Sequence, residues 1–413
     1  MKEKNDAIKK LEEYDQQHIL KILENFSNEE KEEVYKQVER LDFDNLEKLY
    51  EEIQNKKFSK VELIHPISAL KKDKIEKEVL DGIEAAGEKI IKSNQFAVAT
   101  MSGGQGTRLG YDKPKGMFKI DIKPEPKYLF EIVCDSLKRE NEKYGVIIPW
   151  YIMTSEENND EIMAFFEEQN YFGYSKKDIR FFKQAQKPLI DENGKLIIGE
   201  NKLIKEAADG NGGIFKAMAK YGCLDDMETR GVKWVFIGSI DNILLQMADP
   251  VLIGLAEKKN VQIATKSILK NSATERVGTI CKLDDKIGVI EYSEIPKELS
   301  EAVDEDGEFI YGESHIMCNL FSIDILKKLA TVRLPYHKAY KKNAYINEKG
   351  EVIKPETPNS YKFESFIFDS FNYVDDIAIL RGDRKSDFAP VKNKEGVDSP
   401  ATAIKLYNDY WGK

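Results

Sequence analysis

Cysteine is scarce. The chain carries four, Cys134, Cys223, Cys281 and Cys318, widely spaced and never as a C-x-x-C pair. That spacing excludes a disulfide scaffold and a zinc ribbon and predicts reduced thiols in a cytoplasmic protein. Histidine is as sparse: His18, His65, His315 and His337 stand apart, without metal-ligand spacing. No apolar run has the length of a membrane span, and the start, MKEKNDAIKKLEEY, lacks the apolar stretch of a signal peptide. An excess of positive charge is missing too. The formal net charge of −10 argues against nucleic acid and anionic membranes as partners, because both favour a basic surface. A local basic pocket for a small anion stays open. Hydrophobic residues make up 41% of the chain and charged residues 33%, enough for an ordered core.

The first 60 residues or so read as helices. Ile8, Leu11, Ile19, Leu23 and Phe26 keep helical spacing. Ser27 and Glu30 form a capping-box pattern, and Asp44 is expected to cap a third helix. Further on, strand candidates (96–101, 146–154, 179–183, 233–237, 262–267, 278–283) are interleaved with helical stretches (78–94, 161–169, 215–221). That alternation predicts an α/β fold, a largely parallel sheet with helices on both faces. The expected division is an N-terminal helical region 1–75, a catalytic domain 76–393 and a short helical tail 394–413. In such sheets ligands bind beyond the carboxyl ends of the strands.

Three polar, glycine-rich or asparagine-containing turns fall at such ends. The first, Ser102-Gly103-Gly104-Gln105-Gly106-Thr107-Arg108-Leu109-Gly110, follows the apolar run Phe96 to Met101. Glycine lets backbone N–H groups approach phosphate oxygens. The loop fits neither the dinucleotide fingerprint nor the P-loop, since Leu109 occupies a glycine position and no G-K-[S/T] closes it. Arg108 and Lys115, which follow closely, suit an anion. The second turn is Asp209 to Gly213, read together with Gln184, whose amide can address a base edge; a plain turn before a helix near Ile214 is the competing reading. The third ends in Asp241-Asn242. A carboxylate there suits Mg²⁺ shared with substrate phosphates, and helix capping is the alternative. Glu291, Asn319, Lys362 and Lys392 lie farther along, and by pattern alone the two lysines are surface residues.

These residues resemble a known family. The glycine turn with Pro114-Lys115-Gly116-Met117 is similar to the signature of eukaryotic-type UDP-sugar pyrophosphorylases, nearest their UDP-N-acetylglucosamine branch. The similarity continues through DGNGG (209–213), the DN…ADP pattern (241–250), EYSEI (291–295), LPYHKAYKK (334–342), KFESFIFDSF (362–371) and FAPVKN (388–393). It implies a Rossmann-like, GT-A-type nucleotidyltransferase fold and transfer of a uridylyl group from UTP to a sugar 1-phosphate. By the resemblance, Met101, Ser102, Gly103, Gly104, Lys115 and Lys362 contact UTP, and Gln184 and Gly210 read uracil. Asn211, Glu291 and Asn319 bind the sugar, and Lys392 holds the sugar 1-phosphate. Arg108, Lys115 and Lys392 are the expected catalytic cations, and Asp241 the expected ligand of Mg²⁺ (or Mn²⁺). Ser102 stands where the family has alanine and is expected to add a hydroxyl near phosphate. His315 and Leu320 near Asn319 replace the family's asparagine and histidine. Because the sequence ends soon after Lys392, most of the extra C-terminal domain of longer members is expected to be absent. N-acetylglucosamine 1-phosphate leads as substrate, with glucose or galactose 1-phosphate behind it. A catalytically silent nucleotide-sugar sensor is the alternative of another class.

Overall fold

The computed structural model describes residues 2–54 and 63–412. The chain divides into two compact units.

The larger unit is built on a sheet whose main path runs Leu70–Lys71, Ala378–Arg381, Ile263–Leu269, Glu313–Ser322, Trp234–Ser239, Phe96–Met101, Trp150–Thr154, Ile179–Lys183. Neighbours are parallel, except that Glu313–Ser322 runs antiparallel to both strands beside it. All six of the strand candidates form, with ends shifted by up to four residues. One of them, Thr279–Leu283, turns back as an antiparallel hairpin with Lys286–Ile290. The carboxyl ends of Phe96–Met101 and Trp234–Ser239 lie side by side, with Met101 paired to Ser239. The glycine turn and Asp241 therefore leave the sheet together. Phe96–Met101 and Trp150–Thr154 are buried along their whole length, which is why they read as unbroken apolar runs. The core beside them is aromatic. Phe166 packs edge-on against Phe130 and Trp150, and the Trp150 indole donates to Thr100 Oγ1 at 2.8 Å, so its polar edge is satisfied. Each such ring contributes about 1.5–3 kcal/mol by leaving water. Among the described residues no helix is long and apolar enough to cross a membrane.

The smaller unit joins the N-terminal helices Lys2–Glu13, Gln17–Leu23, Asn28–Arg40 and Phe43–Gln54 to Ala185–Gly213 and Leu334–Phe366. Leu11, Ile19, Leu23, Val34, Val38, Leu46 and Leu49 share one core with Ile190, Ile198, Ile346 and Phe363. The Ser27–Glu30 capping box is complete. The helix expected to be capped by Asp44 is the fourth, Phe43–Gln54, and at its start Asp42 Oδ1 accepts from the Asn45 N–H; Asp44 instead accepts from the Tyr14 hydroxyl. The units cross the division expected near residue 75, because two later segments supply the apolar partners that the N-terminal helices need.

Candidate active site

The strand Phe96–Met101 delivers its chain into the glycine turn, and neighbouring strands fix the turn's path. Ser102 N–H and Ser102 Oγ both donate to the Met153 carbonyl, each at 2.8 Å. This corrects one expectation: the Ser102 hydroxyl is buried and spent on a neighbouring strand, so it adds nothing to a phosphate cradle. Met101 is likewise buried. At Gly103 a Cβ would stand 3.0 Å from Gln184 Oε1 and 3.3 Å from the Thr154 carbonyl. The missing side chain is what gives the buried Gln184 amide its place, and Gln184 is further held by its N–H on the Thr154 carbonyl at 2.9 Å. A Cβ on Gly104 would meet nothing within 4 Å, so the turn is open on that side. The loop closes where Gly106 N–H donates to the Lys113 carbonyl and Lys115 N–H to the Gly104 carbonyl.

That closure brings Lys115 inward. Its ammonium is nearly buried and lies 3.2 Å from Asp241 Oδ2. Burial alone would raise the Asp241 carboxyl, but Lys115 and Lys392 outweigh it, and the Ser239 hydroxyl adds to them. Asp241 is held below the usual carboxylate range and is an anion at neutral pH. The Asp241 carbonyl accepts from the Val391 N–H at 2.8 Å, which ties it to the loop bearing Lys392. Asp241 caps no helix; the next one, Pro250–Lys259, is capped by Asp249. Lys115, Asp241 and Lys392 thus gather at one strand end. Arg108 sits on a short 3-10 turn, exposed, with no ion pair or hydrogen bond among the described residues.

Beneath this cluster lies a network that the sequence did not reveal. Lys266, fully buried within Ile263–Leu269, has Nζ 2.6 Å from Asp249 Oδ2 and 2.6 Å from Asp387 Oδ1. Asp387 directly precedes the FAPVKN segment, and Asn242 Nδ2 donates to the Asp387 carbonyl at 2.7 Å. Asn242 Oδ1 accepts from the Ala389 N–H at 2.8 Å. Asn242 and Asp249 of the DN…ADP pattern therefore brace the loop that carries Lys392. The only signal in the sequence was a lysine inside an apolar strand candidate.

Asn319 is fully buried in Glu313–Ser322. Its Oδ1 accepts from Thr265 Oγ1 and from His315 Nε2, each at 2.9 Å. Its Nδ2 has no partner among the described residues. Burial pushes the His315 ring down to about 4, against its bond to Asn319, so at neutral pH the ring is uncharged. Three residues, Ile316 to Cys318, stand opposite the single residue Lys266, a β-bulge with Met317 at φ +55°. A left-handed methionine costs on the order of 1 kcal/mol. Leu320 is buried apolar core. Glu291 follows the hairpin strand Lys286–Ile290 and is half-buried.

In the smaller unit, Gly210 has φ +89°, and a Cβ there would lie 2.2 Å from the Ser365 carbonyl oxygen. Only glycine fits that approach. Ser365 closes the turn: its N–H donates to the Asp209 carbonyl at 2.8 Å, and its carbonyl accepts from the Gly212 N–H at 2.9 Å. Asn211 starts the short turn Asn211–Gly213, which leads into the helix Ile214–Lys220. Lys362 lies on the strand Ser360–Glu364, which pairs antiparallel with His337–Lys341, and its ammonium is 2.9 Å from Glu364 Oε1. Among the described residues no three His, Cys, Asp or Glu side chains gather as a metal cage. Two carboxylates meet the cations of this cluster: Asp241 beside Lys115, and Asp398, whose Oδ2 is 3.9 Å from Lys392 Nζ.

The family model described as UTP--glucose-1-phosphate uridylyltransferase matches residues 43–398. The UDP-N-acetylglucosamine pyrophosphorylase of Saccharomyces cerevisiae is 40% identical over 338 residues, 79% of this chain and 70% of that protein. The UDP-N-acetylhexosamine pyrophosphorylase-like protein 1 of Xenopus tropicalis is 35% identical over 348 residues, covering 81% of this chain and 68% of that one. The crystal structure of the uridine diphosphate N-acetylglucosamine pyrophosphorylase of Trypanosoma brucei in complex with an inhibitor superposes with a TM-score of 0.82 at 31% identity, covering 98% of this chain and 84% of that chain. Parallel strands with one antiparallel member, a glycine turn beside a buried Lys115–Asp241 pair, and a match over most of the sequence agree: the chain belongs to the UTP--glucose-1-phosphate uridylyltransferase family and is a uridylyltransferase.

Proposed function

We propose that the enzyme converts UTP and N-acetylglucosamine 1-phosphate into UDP-N-acetylglucosamine and pyrophosphate. A phosphate oxygen of the sugar 1-phosphate attacks the α-phosphorus of UTP, the bond to the bridging oxygen of the β-phosphate breaks, and pyrophosphate leaves with that electron pair. Such a reaction asks little covalent work of the protein; alignment and charge neutralisation supply the rate. The observation that carries the reading is the buried Lys115 ammonium at 3.2 Å from Asp241, with Lys392 close enough to shift the same carboxylate. Two anions repel on approach, and in a partly buried site that repulsion is worth several kcal/mol unless cations stand between them.

Lys115 and Arg108 take the triphosphate with the N–H groups of Gly103 and Gly104, and Lys392 takes the sugar phosphate. Gln184 addresses uracil. The smaller unit's Gly210, Asn211 and Lys362 keep the roles that the resemblance implies. Asn319 offers the sugar its Nδ2, and Glu291 a carboxylate for sugar hydroxyls. Asp241 is the residue that would hold Mg²⁺ (or Mn²⁺). An anionic carboxylate without a cage of three ligands among the described residues suits an ion that takes its other ligands from phosphate and water, and the ion would supply further charge neutralisation. The substrates are soluble, and a cytoplasmic setting agrees with four free, buried cysteines.

Arg108→Ala and Lys115→Ala are each expected to lower kcat about 10²–10³-fold, the loss typical of removing one preorganised charge-stabilising group. The fold, followed by circular dichroism, is expected to persist. Wild-type turnover in either purified variant would sink the assignment of that residue.

A further inference from the structure

Asn319 is held in one orientation by its own strand. In an unbroken strand, residues four apart are separated by about 13 Å, too far for a side-chain hydrogen bond. Here the bulge compresses the span: Thr265 pairs with Asn319 and Ser267 with His315, so four steps of one strand match two of its neighbour. His315 Nε2 thereby reaches Asn319 Oδ1 at 2.9 Å. The ring is set by edge-on contacts with Phe368 and Phe371, at 5.7 and 5.9 Å between centroids. Thr265 supplies the second contact from the neighbouring strand, also at 2.9 Å. In this arrangement the amide turns its oxygen to Thr265 and His315 and its Nδ2 away from them, although the Thr265 hydroxyl also lies 3.1 Å from the Cys318 carbonyl. Nδ2 is left buried and unpartnered among the described residues. A buried donor without an acceptor costs stability, and a ligand oxygen is a partner that would satisfy it.

We infer that His315 and Thr265 are positioning residues for substrate selection. They fix the Asn319 amide so that its Nδ2 donates to an acceptor oxygen, carbonyl or hydroxyl, of the sugar 1-phosphate. The inference rests on the reading of Asn319 as a sugar-binding residue. It also accounts for His315, which departs from the family's pattern, and for the bulge with its left-handed Met317.

The test measures kcat and KM separately for UTP and for N-acetylglucosamine 1-phosphate by pyrophosphate release. His315→Phe keeps an aromatic ring between Phe368 and Phe371 but cannot donate. His315→Gln keeps a donor, and Thr265→Val is nearly isosteric. The phenylalanine and valine variants are expected to raise KM for the sugar phosphate about five- to tenfold, as loss of one hydrogen bond does, and to leave KM for UTP unchanged. Glutamine is expected to restore most of the loss. Asn319→Ala is the benchmark. If it weakens sugar binding while His315→Phe and Thr265→Val do not, the positioning role is overturned and the sugar role of Asn319 stands. If Asn319→Ala itself leaves sugar KM unchanged, the reading beneath the inference fails and the inference with it. Equal losses toward both substrates, with a lowered Tm, would mark a purely structural contact and also overturn it. Should His315→Phe not fold, Thr265→Val, which removes only a hydroxyl, decides between these outcomes.

Discussion

Lys115 and Ser102 lie within one loop, and both are buried, yet physics gives them opposite tasks. A buried ammonium is costly unless an anion meets it, and Asp241 meets it at 3.2 Å. The pair therefore keeps a positive group inside a site meant for phosphate. A hydroxyl costs less to bury and needs only one acceptor, which the Met153 carbonyl provides. Ser102→Ala is accordingly expected to lower stability by about 1 kcal/mol, the net worth of one hydrogen bond, with KM for UTP unchanged. Thermal unfolding and UTP kinetics check this, and a raised KM would put the hydroxyl back on the triphosphate. Gly103, Gly104 and Lys115 were legible in the sequence because few structures need glycines and cations so close together. The direction of the Ser102 hydroxyl was not, since it depends on which strand lies alongside. Lys266 was hidden for a related reason: one lysine in a short strand reads as a solvent-facing residue, and its two carboxylates come from distant segments.

Among elements, Ile263–Leu269 and Glu313–Ser322 contribute most to the site without being its chemistry. The first carries Lys266, and the second carries Asn319 and the bulge. Removing one partner from a buried ion network leaves an uncompensated charge, so Lys266→Met is expected to cost about 3–5 kcal/mol. The pH dependence has a definite sign. Burial would raise Asp249, but Lys266 and then Lys72 hold it below the usual carboxylate range. A depressed carboxylate contributes stability that is present above its ordinary pKa and is lost as pH falls through the folded value. The stability gap between wild type and Lys266→Met should thus be largest at neutral pH and narrow as pH falls from neutral into acid. Urea unfolding across that range measures it, and a gap that widens in acid would contradict the triad. The strand candidates were legible from apolar runs and alternation. Glu313–Ser322 was missed, because its bulge breaks the period of two and it carries histidine and asparagine inward.

For the molecule as a whole, an acidic protein with net charge −10 has to receive two anions. Only a local concentration of cations overcomes that, which is why Lys115 and Lys392 meet around Asp241 instead of being spread over the surface. The division into units was the least legible property. The N-terminal helices are plain in the sequence, but their core includes Ile190, Ile346 and Phe363, and no local pattern announces which distant segment will cover an apolar face. The central claim concerns the reaction. Purified enzyme given UTP, Mg²⁺ and, in turn, N-acetylglucosamine, glucose and galactose 1-phosphate should release pyrophosphate with the highest kcat/KM for the N-acetylglucosamine substrate. No release with any sugar phosphate, or a preference for glucose 1-phosphate, would contradict the account.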